Sequence, residues 1–169
     1  MSILAKSEIL RLIAEGVIEI DPFDESCVSA GSVDLRVGHT FQSFREDVEL
    51  FHIRDGADYS SLLHEKVVPP GGYFLLRPAH AALAKTIERV RLPDHICAWI
   101  GGRSRFARAG LVVHITASFI HPGINNRQVL ELYNASPLPM AIHPGTRLCQ
   151  LVFQETKGAG HYEGIFREQ

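Results

Sequence analysis

The sequence has no long apolar run and no segment typical of secretion. A helix that crosses a membrane needs about 20 consecutive apolar residues, and charged or turn-forming residues interrupt every hydrophobic stretch before that length. The first residues include Lys6, Glu8, Arg11 and Glu15, whereas a signal peptide keeps its central region apolar. We therefore expect a cytoplasmic protein that makes no contact with a membrane.

Cysteine is scarce, and strong net charge is absent. Three thiols, Cys27, Cys97 and Cys149, are far apart and lie among apolar neighbours, which predicts core thiols rather than a disulfide framework. The nine histidines show no spacing typical of a metal site. The formal net charge of −2 argues against a nucleic-acid-binding protein, which would need a strongly basic face.

The composition that remains is typical of one globular domain. The chain has 169 residues, 46% of them hydrophobic and 21% charged, and we assign residues 1–169 to a single domain. Short apolar runs alternate with turns rich in proline and glycine. This pattern predicts a mainly β fold, a compact barrel or sandwich with jelly-roll-like connections. Residues 157–169 are predicted to form a mobile tail.

Two helices are predicted among the strands. The first covers residues 2–16, where apolar residues recur at helical spacing and Gly16 provides a stop. The second is a helix of about two turns within residues 103–109 (RSRFARA). Strand-like runs cover residues 18–22, 33–37, 73–78, 83–90, 96–100, 111–116, 129–134, 140–142 and 148–153.

Residues 101–111 (GGRSRFARAGL) combine a paired-glycine turn with three arginines and one serine. They lack the Gly-Lys-Ser/Thr ending of a Walker A loop and the glycine spacing of a dinucleotide-binding turn. Free N–H groups at a helix start attract anions, and guanidinium groups bind phosphate oxygens in pairs. Ser104 and Arg108 are four residues apart and are predicted to share one face. The stretch is therefore either an anion-binding cradle or a solvated arginine face.

Glu131 is the one carboxylate in the apolar run VLELYN (residues 129–134). On a strand it shares a face with Val129 and Tyr133. Partial burial between these two side chains would raise the pKa of Glu131 and suit it to exchange protons near neutral pH. An exposed strand glutamate is the alternative interpretation.

Several motifs taken together resemble one family. GRSRFARAGLVVHITA begins at Gly102, and Pro-Gly, VLELYN, HPGTRLCQLVF and YEGIFREQ follow it in that order. From about Ser29 onward the chain is similar to the dCTP deaminase branch of the dUTPase-like superfamily. The resemblance implies a dUTPase-like jelly-roll β-fold and a homotrimer with sites between subunits. It also implies a deoxynucleoside triphosphate bound with Mg²⁺: dCTP first, with dUTP and dTTP as alternatives.

The resemblance implies roles for individual residues as well. Glu131 takes the general acid/base position, and Ser104 and Arg108 take catalytic motif positions that contact the nucleotide and assist the reaction. The implied substrate-binding residues are Arg103, Arg105, Ala117, Phe119, His121, Val129, Tyr162 and Gln169. Among them, Ala117 corresponds to the small residue beside the pyrimidine ring, and Gln169 to the glutamine of a tail that folds over the triphosphate.

The reaction implied by the resemblance is hydrolytic deamination at C4 of cytosine, which converts dCTP to dUTP and ammonia. A water must lose a proton to attack C4 while N3 gains one, and a single carboxylate at Glu131 can move these protons. Zinc deaminases instead combine His-x-Glu with Pro-Cys-x-x-Cys. Residues 161–163 (HYE) match only the first half of that signature, so zinc is not expected.

Several positions depart from the family pattern, among them Arg105, which stands where the motif has a second serine. His121 stands where the family has an aspartate that accepts the sugar 3′-hydroxyl and, in related dUTPases, helps to activate the hydrolytic water. Ser118 and Phe119 are closer to the pair found in the bifunctional, dUMP-forming subgroup, and Ile165 replaces a phosphate-neutralising lysine. Two alternative functions follow. One is a bifunctional enzyme or dUTPase-like nucleotidohydrolase, and the other is a non-catalytic or altered-specificity nucleotide binder.

Overall fold

The computed structural model describes residues 2–167 and shows a mainly β protein with two short α-helices, as the sequence predicted. The helices are α1 (Lys6–Ala14) and α2 (Ser104–Ala107). The strands are β1 (Glu19–Asp21), β2 (Val33–Phe44), β3 (Leu63–Val67), β4 (Phe74–Leu76), β5 (Ala81–Arg91), β6 (Ile96–Gly102), β7 (Leu111–Val113), β8 (Phe119–Ile120), β9 (Asn125–Asn134), β10 (Met140–Ile142) and β11 (Arg147–Glu155). Single 3₁₀ turns occur at Glu25–Cys27 and Tyr59–Leu62.

Nine of these strands form one curled antiparallel sheet. Its main path runs β7-β9-β5-β2-β11-β6-β8, with β1 on β5 and β3 on β2. The register shifts between Val37 and Phe41 and between Lys85 and Arg89, and such irregularities bend a sheet. β4 and β10 form a second sheet, in which Phe74 stacks on Phe41 with the ring centroids 4.5 Å apart. The bent sheet therefore curls around a single hydrophobic core.

Alternation along the strands supplies that core. Every second residue of β5 is buried, which is the pattern of a sheet with one packed face. The largest fully buried side chains include Leu35, Phe41, Leu130, Leu151 and Phe153. All three cysteines are buried and free, so the prediction of core thiols is confirmed.

The N-terminal helix is present but begins at Lys6, later than predicted. Ile3 instead forms a bridge with Gln154, and the Leu4 N–H donates to the Phe153 carbonyl at 3.0 Å. The first described residues therefore extend the sheet beside β11 before the helix starts. Within residues 2–167, neither α-helix has the length and apolar character that a membrane crossing requires.

Two differences from the predicted strands concern the region of the cavity described below. The run predicted as a strand to residue 116 ends at Val113, because His114 adopts a left-handed backbone conformation with φ of 43°. A non-glycine residue with positive φ turns the chain sharply, so residues 114–118 leave the sheet. Phe119 and Ile120 then form β8 against β6, where the sequence predicted only a connecting stretch.

The C-terminal residues run back along the sheet after β11. The Gly160 N–H donates to the Asp94 carbonyl at 2.8 Å, and the Tyr162 N–H donates to the Pro122 carbonyl at 3.1 Å. Farther along, the carbonyl of Arg167 accepts a hydrogen bond from the backbone of β9. The segment from Gly160 to Arg167 is therefore packed on the domain, and the mobility assigned to the tail stays a prediction.

Candidate active site

A cavity of about 430 Å³ opens beside β9, along an edge that no described strand covers. β7 pairs with β9 only between Leu132 and Asn134, which leaves the preceding part of that edge open. The lining residues are Tyr59, Leu83, Ile100, His114, Ala117, Phe119, Ile120, His121, Ile124, Asn126, Gln128, Val129, Glu131, Tyr162 and Phe166. The wall is largely apolar and aromatic with a few polar groups, which is typical of a small-ligand site.

Glu131 is held in this wall by the backbone that follows β7. Its Oε2 accepts hydrogen bonds from the N–H groups of Ile115 and Thr116, each at 2.8 Å, and a longer one from Thr116 Oγ1 at 3.4 Å. No hydrogen bond of ordinary geometry reaches Oε1 within residues 2–167, although the Ala117 N–H is near enough to the carboxylate to lower its pKa. One carboxylate oxygen is therefore fixed, and the other is available to a ligand.

His114 forms the turn that aims these N–H groups at Glu131. Its Nδ1 accepts from the Glu131 N–H at 3.3 Å, and its Nε2 lies 2.9 Å from the Ala117 carbonyl. A neutral imidazole with its hydrogen on Nε2 satisfies both contacts, and we assign that tautomer from the geometry. His114 thus connects the end of β7 with Ala117 and with Glu131 on β9.

The pKa of Glu131 is lowered, so the prediction of a raised pKa is wrong. Burial is the largest single influence and favours the neutral acid, but the backbone N–H groups of Thr116, Ile115 and Ala117 outweigh it. The prediction considered only the neighbours along β9. The N–H groups of Ile115 and Thr116 come from a turn that the sequence pattern presented as a strand, so Glu131 is a carboxylate at neutral pH.

A row of aromatic rings forms one side of the cavity mouth. The centroids of Trp99 and Phe119 are 5.0 Å apart, and those of Phe119 and His121 are 4.8 Å apart with the rings nearly perpendicular. His121 also stacks on Tyr162, with the centroids 4.8 Å apart and the planes 11° from parallel. The tail thereby contributes a ring to the cavity wall.

Two buried amide side chains connect the opposite part of the wall to the tail. Gln128 Nε2 donates to Asn126 Oδ1 at 2.6 Å, and Asn126 Nδ2 donates to the Phe166 carbonyl. Both residues lie on the buried face of β9, together with Leu130, Leu132 and Asn134. Polar residues at core-facing positions of a strand are the signal in the sequence that points to them.

Six of the residues implied by the family resemblance come together at the cavity, and four do not. Glu131, Ala117, Phe119, His121, Val129 and Tyr162 line it. Arg103, Ser104, Arg105 and Arg108 do not line it. Gln169 lies outside the described residues. The sequence did not predict the contributions of His114, Ile115, Thr116, Asn126, Gln128, Tyr59 and Phe166.

α2 carries the residues that are absent from the cavity. It spans a single turn rather than the two predicted, since the chain must reverse at Gly110 (φ 89°) to enter β7. The Arg108 N–H donates to the Ser104 carbonyl at 3.1 Å, so the predicted spacing of these two residues around one turn is confirmed. Ser104, Arg105 and Arg108 are exposed, and neither of these arginine side chains pairs with a carboxylate within residues 2–167.

Arg103 differs from Arg105 and Arg108 because its guanidinium already makes contacts within the chain. It pairs with Asp34 at 2.9 Å and donates to the Arg147 carbonyl at 2.9 Å. Asp34 is buried at 5% exposure, and burial raises its pKa while Arg103 and Arg147 counteract part of that effect. Arg103 therefore neutralises a buried carboxylate, and its assignment to a phosphate stays a prediction.

Comparison with family models identifies the chain's relatives. Residues 3–156 match the model described as dCTP deaminase-like. A protein of Sulfurihydrogenibium sp. named "dCTP deaminase, dUMP-forming" is 37% identical over 169 residues, which cover 99% of this chain and 92% of that protein. A protein of Haloarcula marismortui named "dCTP deaminase" is 37% identical over 158 residues, covering 92% and 81% respectively.

Solved structures share the fold. A 2′-deoxycytidine 5′-triphosphate deaminase from Agrobacterium tumefaciens superposes with a TM-score of 0.73 at 22% identity, covering 91% of this chain but only 48% of that one. This chain thus spans about half the length of that protein. A dUTPase of Staphylococcus bacteriophage 80alpha superposes with a TM-score of 0.51 at 14% identity, covering 88% and 97%. The predicted dUTPase-like fold is confirmed.

Proposed function

The chain belongs to the dCTP deaminase-like family of enzymes, and on that basis we propose that it hydrolyses dCTP at C4 of cytosine, forming dUTP and ammonia. One observation carries the proposal. Among the described lining residues Glu131 is the single carboxylate, with one oxygen held by backbone N–H groups and the other open to a ligand. Such a group is suited to move protons between a water and a bound ring.

In the proposed reaction, Oε1 of Glu131 takes a proton from a water as the water oxygen bonds to C4. That proton passes to N3, and the remaining proton of the water passes from the new hydroxyl to the amino group. The C4–N bond then breaks and ammonia leaves, so that Glu131 ends as the carboxylate it was at the start. A pyrimidine over Glu131 shields it from water and raises its pKa toward the range that both transfers need.

We place the pyrimidine between Ala117 and Val129, because both side chains lie at the cavity and neither extends a polar group into it. The triphosphate needs cations, and the described lining residues include no lysine or arginine. Arg105 and Arg108 on α2 are unpaired within residues 2–167. We therefore propose that a second subunit brings Ser104, Arg105 and Arg108 to the cavity, so that each site of a homotrimer is shared between two chains.

We also propose that Mg²⁺ binds together with the triphosphate. Within residues 2–167 no three His, Cys, Asp or Glu side chains are grouped to hold a metal ion, so we assign the ion no protein ligand. Its contribution in this proposal is to offset phosphate charge. The arginines of α2 supply the rest of that neutralisation.

A second candidate function is the bifunctional reaction that continues to dUMP and pyrophosphate. The name of the Sulfurihydrogenibium relative and the pair Ser118 and Phe119 favour it. His121 argues against it, because this residue has no carboxylate to activate a water and its ring stacks on Tyr162. A nucleotide binder without turnover is the remaining alternative.

Product analysis tests the proposal. The pure protein is incubated with Mg²⁺ and either dCTP or dUTP, and ammonia, dUTP, dUMP and pyrophosphate are measured. We expect ammonia and dUTP in equal amounts from dCTP, without pyrophosphate. Pyrophosphate from either nucleotide would select the bifunctional or nucleotidohydrolase function. Nucleotide binding without any product would select the binder.

The variant Glu131→Gln tests the mechanism, because an amide keeps the shape of the side chain but cannot take a proton. We expect kcat for ammonia release to fall by about 10²- to 10⁴-fold, with a much smaller change in KM. Glu65→Gln, an exposed carboxylate on β3 away from the cavity, is the matched control. Retention of deamination by Glu131→Gln would disprove the role of this residue.

A further inference from the structure

His121 lies where the tail crosses the mouth of the cavity. Its ring stacks face to face on Tyr162 and meets Phe119 edge-on, each at a centroid distance of 4.8 Å. The backbone fixes the tail at the same place, since the Tyr162 N–H donates to the carbonyl of Pro122, the residue next to His121. One side chain thus joins β8, the following turn and the tail.

Further contacts before and after Tyr162 hold the tail in this position. His161 Nδ1 lies 2.6 Å from Asp94 Oδ1, and the Gly160 N–H donates to the Asp94 carbonyl at 2.8 Å. Beyond Tyr162, the carbonyl of Phe166 accepts from Asn126. These contacts set the path of the tail. Phe166 also faces a ring of the wall, Tyr59, at a centroid distance of 6.4 Å, but Tyr162 makes the closer, stacked contact.

Two glycines make the close approach possible. Gly123 has φ of 78°, and a Cβ there would lie 2.6 Å from His161 Nδ1. A Cβ on Gly164 would lie 2.2 Å from the Tyr162 ring. Contacts this short require a shift, so a side chain at Gly123 would push on His161 and one at Gly164 would push the Tyr162 ring from its position. The shape of the main chain is therefore matched to the docked position of Tyr162.

We propose that His121 is a tail-positioning residue, whose ring holds residues 160–167 against the cavity before a nucleotide arrives. The role differs from the hydroxyl-accepting role expected of an aspartate at this position, because the contact is made by the face and edge of a ring. A tail that is already ordered costs less conformational entropy when the substrate binds. His121 therefore acts on KM through Tyr162, and this kinetic consequence rests on the proposed function.

Hydrogen exchange in the absence of nucleotide tests the docking directly. Peptides that cover residues 158–167 are followed in the wild-type protein, His121→Ala and His121→Phe. We expect His121→Ala to speed exchange in this segment about five- to tenfold, the loss expected for aromatic pairs, and His121→Phe to keep the protection. His143→Ala is the control, because His143 also pairs with a tyrosine, Tyr73, but lies outside the cavity lining.

Steady-state kinetics with dCTP tests the consequence. We expect His121→Ala to raise KM about five- to tenfold while kcat changes less than about twofold, and His121→Phe to restore KM. A fall in kcat at unchanged KM would contradict a positioning role. Failure of His121→Phe to restore KM would also contradict it, because the ring nitrogens rather than the stack would then be responsible.

Gly164→Ala keeps the test decisive if His121→Ala fails to fold. This change keeps both rings but places a methyl group where the Tyr162 ring lies, so the ring must shift and exchange of residues 158–167 should again be faster. Unchanged exchange in both variants would overturn the inference even if dCTP is deaminated. Faster exchange in a protein that releases no ammonia would support the docking role and contradict the proposed function instead.

Discussion

Glu131 has one oxygen held by the backbone and the other open to the cavity, and this division decides which protons it can move. The fixed oxygen keeps the carboxylate ionised through the N–H groups of Ile115 and Thr116, despite partial burial. The free oxygen is thus a base before substrate binds. It becomes a useful acid only when a bound ring excludes water.

The free energy of unfolding should depend on pH through the ionisation of Glu131. The folded-state pKa of Glu131 lies below its ordinary value, so its contribution is present above the unfolded pKa of about 4.3 and is lost as the pH falls through the folded value. We expect Glu131→Gln to lower the free energy of unfolding by about 1 kcal/mol at neutral pH, since hydrogen bonds to a charged group are stronger. Urea denaturation at pH 7 and below pH 4 should show that difference shrink in acid. A difference that grows in acid would contradict the lowered pKa.

His114 is the second residue on which the carboxylate depends. His114→Ala leaves a non-glycine residue at positive φ and removes the acceptor of the Glu131 N–H, so we expect kcat for ammonia release to fall about tenfold. His114→Asn should retain more activity, because asparagine tolerates this backbone conformation and its amide oxygen accepts a hydrogen bond. Equal loss in the two variants would show that neither the backbone conformation nor the acceptor matters.

At the scale of elements, β7 and α2 are adjacent in sequence and differ in how far the sequence reveals them. Alternation and turns predicted the mainly β fold and most strands, because burial of one sheet face directly controls residue type. The turn at His114 was not predicted, since the run LVVHIT has the residue types of a strand. Glu131 and Phe119, to which the motif resemblance assigns roles, both line the cavity, but the N–H donors carry no side-chain signature.

Arg103 and Arg108, which flank α2, should contribute very differently to the free energy of unfolding. Arg103→Ala leaves the buried Asp34 carboxylate without its partner, so we expect the free energy of unfolding to fall by about 3 kcal/mol. Arg108→Ala, at an exposed position, should change it by less than about 0.5 kcal/mol. Urea denaturation at equal protein concentrations measures both. Adding Asp34→Asn to Arg103→Ala should recover part of the loss, and equal stability of the two single variants would contradict the structural role of Arg103.

At the scale of the whole molecule, the proposed function requires that one chain presents two incomplete halves of a site. The cavity has a base, Glu131, and a largely apolar wall, but its described lining contains no cation. Arg105 and Arg108, in and next to α2, are exposed cations that lie outside this lining. The family resemblance alone implies this arrangement, because no pattern within a chain indicates which surface meets a second copy. A symmetric assembly that sets α2 against the cavity of its neighbour completes every site at once.

Subunit mixing measures this central claim directly. Glu131→Gln and Arg108→Ala are each expected to be nearly inactive, and equal amounts are unfolded and refolded together before ammonia release from dCTP is followed. If each site takes Glu131 from one subunit and Arg108 from another, random assembly restores both residues in about a quarter of the sites, and we expect about a quarter of wild-type activity. A mixture no more active than its separate components would show that the two residues do not meet across a subunit boundary.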